Sequence, residues 1–179
     1  MLRSLRRLRA DIAGVAAIEF AFIAPVLITL YFGVAELTQA MIAQRRNSHA
    51  ASTIGDLVAQ STCVTDANLT DIFTVADAIL SPFPVATLKM RVTSISANAA
   101  GTTTVDWSKG SGMTALGAGS AISVPAGVIS ANQSIVKSET SYTYTSPVNY
   151  ILPSPITFTN AYYLRPRLSD KTAHQASTC

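Results

Sequence analysis

From residue 12 to residue 35 the only side chain charged at neutral pH is Glu19. About 24 residues in a helix rise ~36 Å, enough to cross a ~30 Å hydrocarbon core. Pro25 falls inside the run, where a transmembrane helix accommodates it with a kink. Residues 36–60 can continue the helix outside the membrane: Leu37, Met41, Ile54, Leu57 and Val58 approximate an apolar stripe, interrupted by polar residues over 44–49. A second helix is expected over 68–80, with Ile72, Val75, Ala76 and Ile79 on one face and Pro82 and Pro84 ending it.

Past residue 85 the period shortens to two. Leu88, Met90, Val92 and Ile95 roughly alternate with Lys89, Arg91 and Thr93, and 98–101 read as a turn into a second strand over 102–108. Residues 135–145 and 156–164, rich in Thr, Tyr and Val, are two further strands. Residues 110–119, with four glycines, read as a loop. The expected fold is α+β: a long N-terminal transmembrane helix continuing beyond the membrane, a second helix, and a small antiparallel sheet. The expected division is a basic leader at 1–14, a span at 15–37, an extracytoplasmic helical segment at 38–80 and a β-rich region at 81–179.

Charge refines this picture. Residues 1–14 carry Arg3, Arg6, Arg7 and Arg9 against Asp11, a net +3, and the whole chain is also +3, so everything after Gly14 sums to zero. The basic pI thus belongs to a short tract and not to a folded face, which excludes a nucleic-acid-binding surface. The arginines precede the apolar run, so the positive-inside rule puts the N-terminus in the cytoplasm and the rest outside. A cleaved secretory signal fits poorly, because the run is too long and residues 34–40 offer no A-x-A site. A buried core helix would leave the arginine flank unexplained.

An acidic residue inside a span costs about 2.5–3.5 kcal/mol on insertion scales and calls for a function. Glu19 lies five positions after Gly14, where the basic tract ends. The string Gly14-Val15-Ala16-Ala17-Ile18-Glu19-Phe20 resembles the processing site of type IV prepilins and pseudopilins. Its continuation, Glu19-Phe20-Ala21-Phe22-Ile23-Ala24-Pro25-Val26-Leu27 and then Tyr31-Phe32-Gly33-Val34-Ala35-Glu36-Leu37, resembles the TadE-like pseudopilins of the tight-adherence (Tad, or Flp) pilus.

The resemblance implies cleavage between Gly14 and Val15 by a prepilin peptidase. It also implies an assembly role for Glu19 and Phe20, and membrane packing at Pro25, Gly33 and Glu36. In a helix Glu19 is only ~6 Å along the axis from Val15, so its carboxylate can neutralise the new amine of its own or a neighbouring subunit. The implied partners are the major Flp pilin, fellow pseudopilins, the inner-membrane assembly platform and membrane lipid. The implied location is the bacterial inner membrane, with the C-terminal region periplasmic.

Catalytic patterns do not emerge. His49 and His174 have no Cys or carboxylate at metal-ligand spacing, Gly117-Ala118-Gly119 is not a dinucleotide fingerprint, and no phosphate loop or nucleophile elbow is present. The expectation is therefore no enzyme, no cofactor and no metal. Cys63 and Cys179 would lie outside the cytoplasm, where disulfides persist, and are expected to form one bridge; two free thiols or an intermolecular bridge are the alternatives. The leading functional reading is a minor pseudopilin that assembles by lateral packing of its helix, for which small residues such as Ala13, Ala17, Ala21 and Ala24 permit close approach. The other is a single-span protein whose outer domain binds a surface or ligand.

Overall fold

The computed structural model describes residues 13–179; Arg3, Arg6, Arg7, Arg9 and Asp11 lie outside the described residues. Helix α1 (Ala13–Ala59) runs unbroken for 47 residues, about 70 Å at 1.5 Å per residue. It is followed by β1 (Cys63–Thr65), α2 (Asp66–Leu80), β2 (Leu88–Ala97), β3 (Thr103–Ser111), β4 (Ser134–Tyr144), β5 (Ile156–Leu164) and β6 (Ala173–Gln175). The fold is α+β, as the pattern predicts. Four antiparallel strands form one sheet in the order β3-β2-β4-β5, and β1 pairs in parallel with β6.

Two halves of α1 meet different surroundings. Between residues 15 and 42 every large apolar side chain is exposed, and this apolar stretch is long enough to cross a membrane. From Gly33 onward one stripe is buried: Gly33, Glu36, Ala40, Ala43, Asn47, Ala50 and Ile54, at alternating spacings of three and four. That spacing holds one face of a helix against a partner. The stripe corrects the expectation built on Leu37 and Met41, which are exposed. Because its upper members are small, β4 and β5 pack close to the helix axis; at Gly55 a Cβ would collide with Leu164.

Small side chains supply little apolar area, and polar stitching adds to the contact. Asn47 Nδ2 donates to Phe158 O at 3.0 Å, and Ser48 Oγ meets Tyr162 OH at 2.6 Å. Above this zone lies the larger core, where Ile54, Val58, Val64, Leu69, Phe73, Leu80, Met90, Val92, Val136 and Tyr142 cluster. Each fully buried side chain of this size is worth about 1.5–3 kcal/mol.

Helix α2 starts with a capping box, in which Thr65 Oγ1 accepts from Asn68 N at 3.1 Å and Thr65 N donates to Asn68 Oδ1 at 3.0 Å. Its last turn is held by Arg46, which donates to Ile79 O at 3.0 Å and to Ser81 O. The buried face of α2 is Leu69, Phe73, Ala76 and Leu80, with Ile72 and Ile79 at its margins and Val75 exposed.

Strand β3 runs to Ser111, two residues further than the glycines suggest, so the loop begins at Gly112, which has φ +68°. A bulge around Asp106 sets Ser94 opposite Trp107 and Ile95 opposite Val105. The following loop covers the edge of β3, with Val105 N donating to Ser120 O at 2.9 Å. Cys63 and Cys179 are joined by a disulfide with a Cα–Cα distance of 5.8 Å, beside the β1–β6 pair. In the loop-entropy model a loop near 100 residues is worth up to ~4.7 kcal/mol.

Overpacking the small-residue stripe tests this architecture. Ala50→Leu should destabilise the domain by about 1–3 kcal/mol, whereas Leu37→Ala should stay within about 0.5 kcal/mol. Urea unfolding of the detergent-solubilised protein checks both, and equal effects would refute the assignment of faces.

Candidate functional site

The residues singled out in the sequence occupy two zones of α1. Gly14 lies in its first turn, with no heavy atom within 4 Å of where a Cβ would stand. Val15, Glu19 and Phe20 are exposed on the same free end, and no side chain of the folded domain meets them. Pro25 sits in the unbroken helix, and Thr29 Oγ1 donates to its carbonyl at 2.8 Å. Beside it runs a shallow apolar groove lined by Pro25, Val26, Thr29 and Leu30.

Gly33 and Glu36 are different, because the chain's own loop covers them. A Cβ at Gly33 would stand 3.2 Å from Ile151 Cγ1, so glycine lets residues 146–152 lie directly on the helix. Glu36 is 2% exposed. Its Oε1 accepts from Tyr150 N at 2.7 Å and from Ser146 Oγ at 3.0 Å. Its Oε2 accepts from Ile151 N at 2.7 Å and from Leu152 N at 2.9 Å. A carboxylate with four donors is satisfied as fully as its lone pairs allow. Glu36, for which the family resemblance implies membrane packing, thus clasps a loop more than 100 positions away in sequence, a contact that no local pattern carries.

Several other charged groups are paired in ways that hold the sheet. Glu139 receives Arg91 Nη2 and Lys137 Nζ, each at 2.8 Å, across β2 and β4. Burial drives its carboxyl upward, but Lys137 and Arg91 outweigh burial and hold it below the usual carboxylate range. Asp66 bonds Lys109 Nζ at 2.9 Å and His174 Nε2 at 3.0 Å, and Lys109, followed by His174, keeps its carboxyl low. Trp107 Nε1 donates to Thr172 O at 2.8 Å, and its ring lies over His174. Both carboxylates therefore tie separate strands together, and His174 belongs to one of those ties. Among the described residues no group of three or more His, Cys, Asp or Glu is arranged to hold a metal ion.

With this geometry in place, comparison with known proteins adds one finding. The family model described as TadE-like protein matches residues 14–55, nearly the whole of α1. No curated protein and no solved structure matches the chain. The matched segment holds Gly14, Glu19, Pro25, Gly33 and Glu36 together.

Two outcomes follow for the site. Glu36→Gln replaces one acceptor oxygen by an amide that cannot accept, and a buried donor left unpaired costs about 1–3 kcal/mol. Hydrogen exchange should quicken at the amides of Tyr150, Ile151 and Leu152 and stay unchanged in β2 and β4; unchanged protection in the loop would contradict the clasp. Glu139 has a folded-state pKa below its unfolded value, so its contribution is present at pH above the usual carboxylate range and is lost as pH falls through the folded value. Glu139→Gln should lower stability near pH 7 by about 1.5–3 kcal/mol and flatten the acid side of the stability profile; an unaltered profile would refute this role.

Proposed function

We propose that this chain, TadE-like from residue 14 to 55 and so associated with the Tad pilus, is a minor pseudopilin required for pilus assembly. The observation that carries the reading is the free end of α1. Its large apolar side chains from Val15 to Phe32 are exposed, and its one carboxylate stands five positions beyond Gly14. A helix of that kind gains by packing sideways against others like it in lipid, where small residues set the distance of approach.

In this reading the arginine tract of residues 1–14 stays cytoplasmic and a prepilin peptidase cuts after Gly14. Val15 then presents an amine at the membrane edge, and Glu19 neutralises it within the stack of pilin-like helices. Neutralising both charges lowers the cost of burying either. The domain beyond the span stands in the periplasm, where the Cys63–Cys179 bridge persists. Its partners are the peptidase, the major Flp pilin, fellow pseudopilins and the inner-membrane assembly platform.

Processing and pairing are tested separately. N-terminal sequencing of protein extracted from membranes should return Val15, and Gly14→Val should leave the precursor uncut; an intact Met1 in cells that make the peptidase would sink the reading. Glu19→Gln should be cut normally, yet lose co-purification with pilin-like subunits and abolish piliation. Losing one member of a buried ion pair costs about 3–5 kcal/mol, less at a membrane edge. Normal piliation in that variant would remove the carboxylate from assembly.

A further inference from the structure

The loop at residues 146–152 is built for a place without water. Five consecutive backbone N–H groups in it are satisfied by two side chains. Ser146 Oγ accepts from Val148 N and Asn149 N at 3.3 and 3.4 Å, and Glu36 accepts from Tyr150, Ile151 and Leu152 at 2.7–2.9 Å. Ordinary surface loops leave such donors to water, whereas backbone at membrane depth must find internal partners. The side chains point the same way. Val148 is 49%, Tyr150 59% and Ile151 43% exposed, and no Asp, Glu, Lys or Arg occurs from residue 140 to residue 164.

The position of the loop along α1 fixes its height. Tyr150 OH meets Thr29 Oγ1 at 3.3 Å, Ile151 rests on Gly33, and Glu36 holds the base. Thr29, Gly33 and Glu36 share one helix face, at spacings of four and three. Thr29 lies near the end of the exposed apolar stretch, and Gly33 and Glu36 lie just beyond Phe32. The 18 residues from 15 to 32 rise ~27 Å, close to a ~30 Å hydrocarbon core. A span using those residues therefore emerges just where the loop is clasped to it. An apolar loop carrying a tyrosine, continuous with exposed apolar helix, suits the interfacial zone, where amphipathic aromatic rings settle.

We infer that residues 147–151 form a second membrane contact, seated in the bilayer interface beside α1 and held there by Glu36. The occupant of the exposed face of Val148, Tyr150 and Ile151 is lipid. The inference rests on the reading of α1 as a span. Its consequence is that the domain does not swing freely above the membrane: the helix and loop fix its tilt.

Spin labels on single added cysteines test this. The chain's two cysteines are closed in the Cys63–Cys179 bridge, so an added thiol labels uniquely in the full-length protein in phosphatidylcholine–phosphatidylglycerol vesicles. Leu27→Cys reports the span, Val148→Cys the loop, and Leu168→Cys the distal surface, each at an exposed side chain. At residue 148 collisions with dissolved oxygen should exceed those with a water-soluble nickel chelate, as at residue 27 and opposite to residue 168. If residue 27 is in lipid and residue 148 matches residue 168, the loop contact is wrong while the span stands. If residue 148 is shielded from both reagents, a second copy covers the face and the lipid assignment fails. If residue 27 is itself aqueous, both the span and the inference fall. Closed Cys63–Cys179 bridges in all three variants certify the fold.

Discussion

One helix has an exposed apolar half and a half packed on the domain, and the line of residues from Thr29 to Ile54 is where the two meet. Below it α1 exposes large apolar side chains. Along it glycine, alanine and the polar side chains of Thr29, Glu36 and Asn47 let a loop and then a sheet lie directly on the helix. Above it Ile54 and Val58 enter the large-residue core. Substituting large residues into the line would push the sheet off the helix and detach the domain from its own anchor.

Polar groups do work on this line that apolar ones cannot. Glu36 and Asn47 are both buried, and both reach backbone atoms of distant segments, the 146–152 loop and β5 respectively. Hydrogen bonds are directional, so they fix the rotation of the helix against the sheet in a way that alanine packing alone leaves loose. A buried carboxylate with four donors also makes removal of any one partner costly. The clasp is thus both a register pin and the element that joins the 146–152 loop to α1.

Periodicity made the architecture legible. The apolar run, the change from helical to alternating pattern near residue 85, and the prolines after α2 were enough for an α+β outline with four main strands in nearly the right places. The burial of α1 was not legible in the same way. Reasoning from large apolar residues picked Leu37 and Met41, yet the face that packs is made of Ala40, Ala43, Asn47 and Ala50. A small-residue stripe carries little hydrophobic signal and is recognisable only by its spacing of three and four. Strands β1 and β6 were missed because three residues hold no alternation to detect.

The candidate site divides similarly. Gly14 and Glu19 stood out because a charge in an apolar run is conspicuous. The partnership of Glu36 with Ser146 and the loop amides spans more than 100 residues, and no local pattern carries it. The uncharged stretch from 140 to 164 was the one available hint.

In the proposed function the free end of α1 packs against other helices within the membrane, while its upper end is closed by the chain's own domain. The most direct measurement is photo-crosslinking in piliated cells, with a photoreactive residue placed in turn at Ile23, Leu27, Leu30, Ala43 and Ala50. Adducts with pilin-like subunits are expected at Ile23, Leu27 or Leu30 and none at Ala43 or Ala50. Absence of pilin adducts at all three lower positions, or their presence at Ala43 and Ala50, would contradict it.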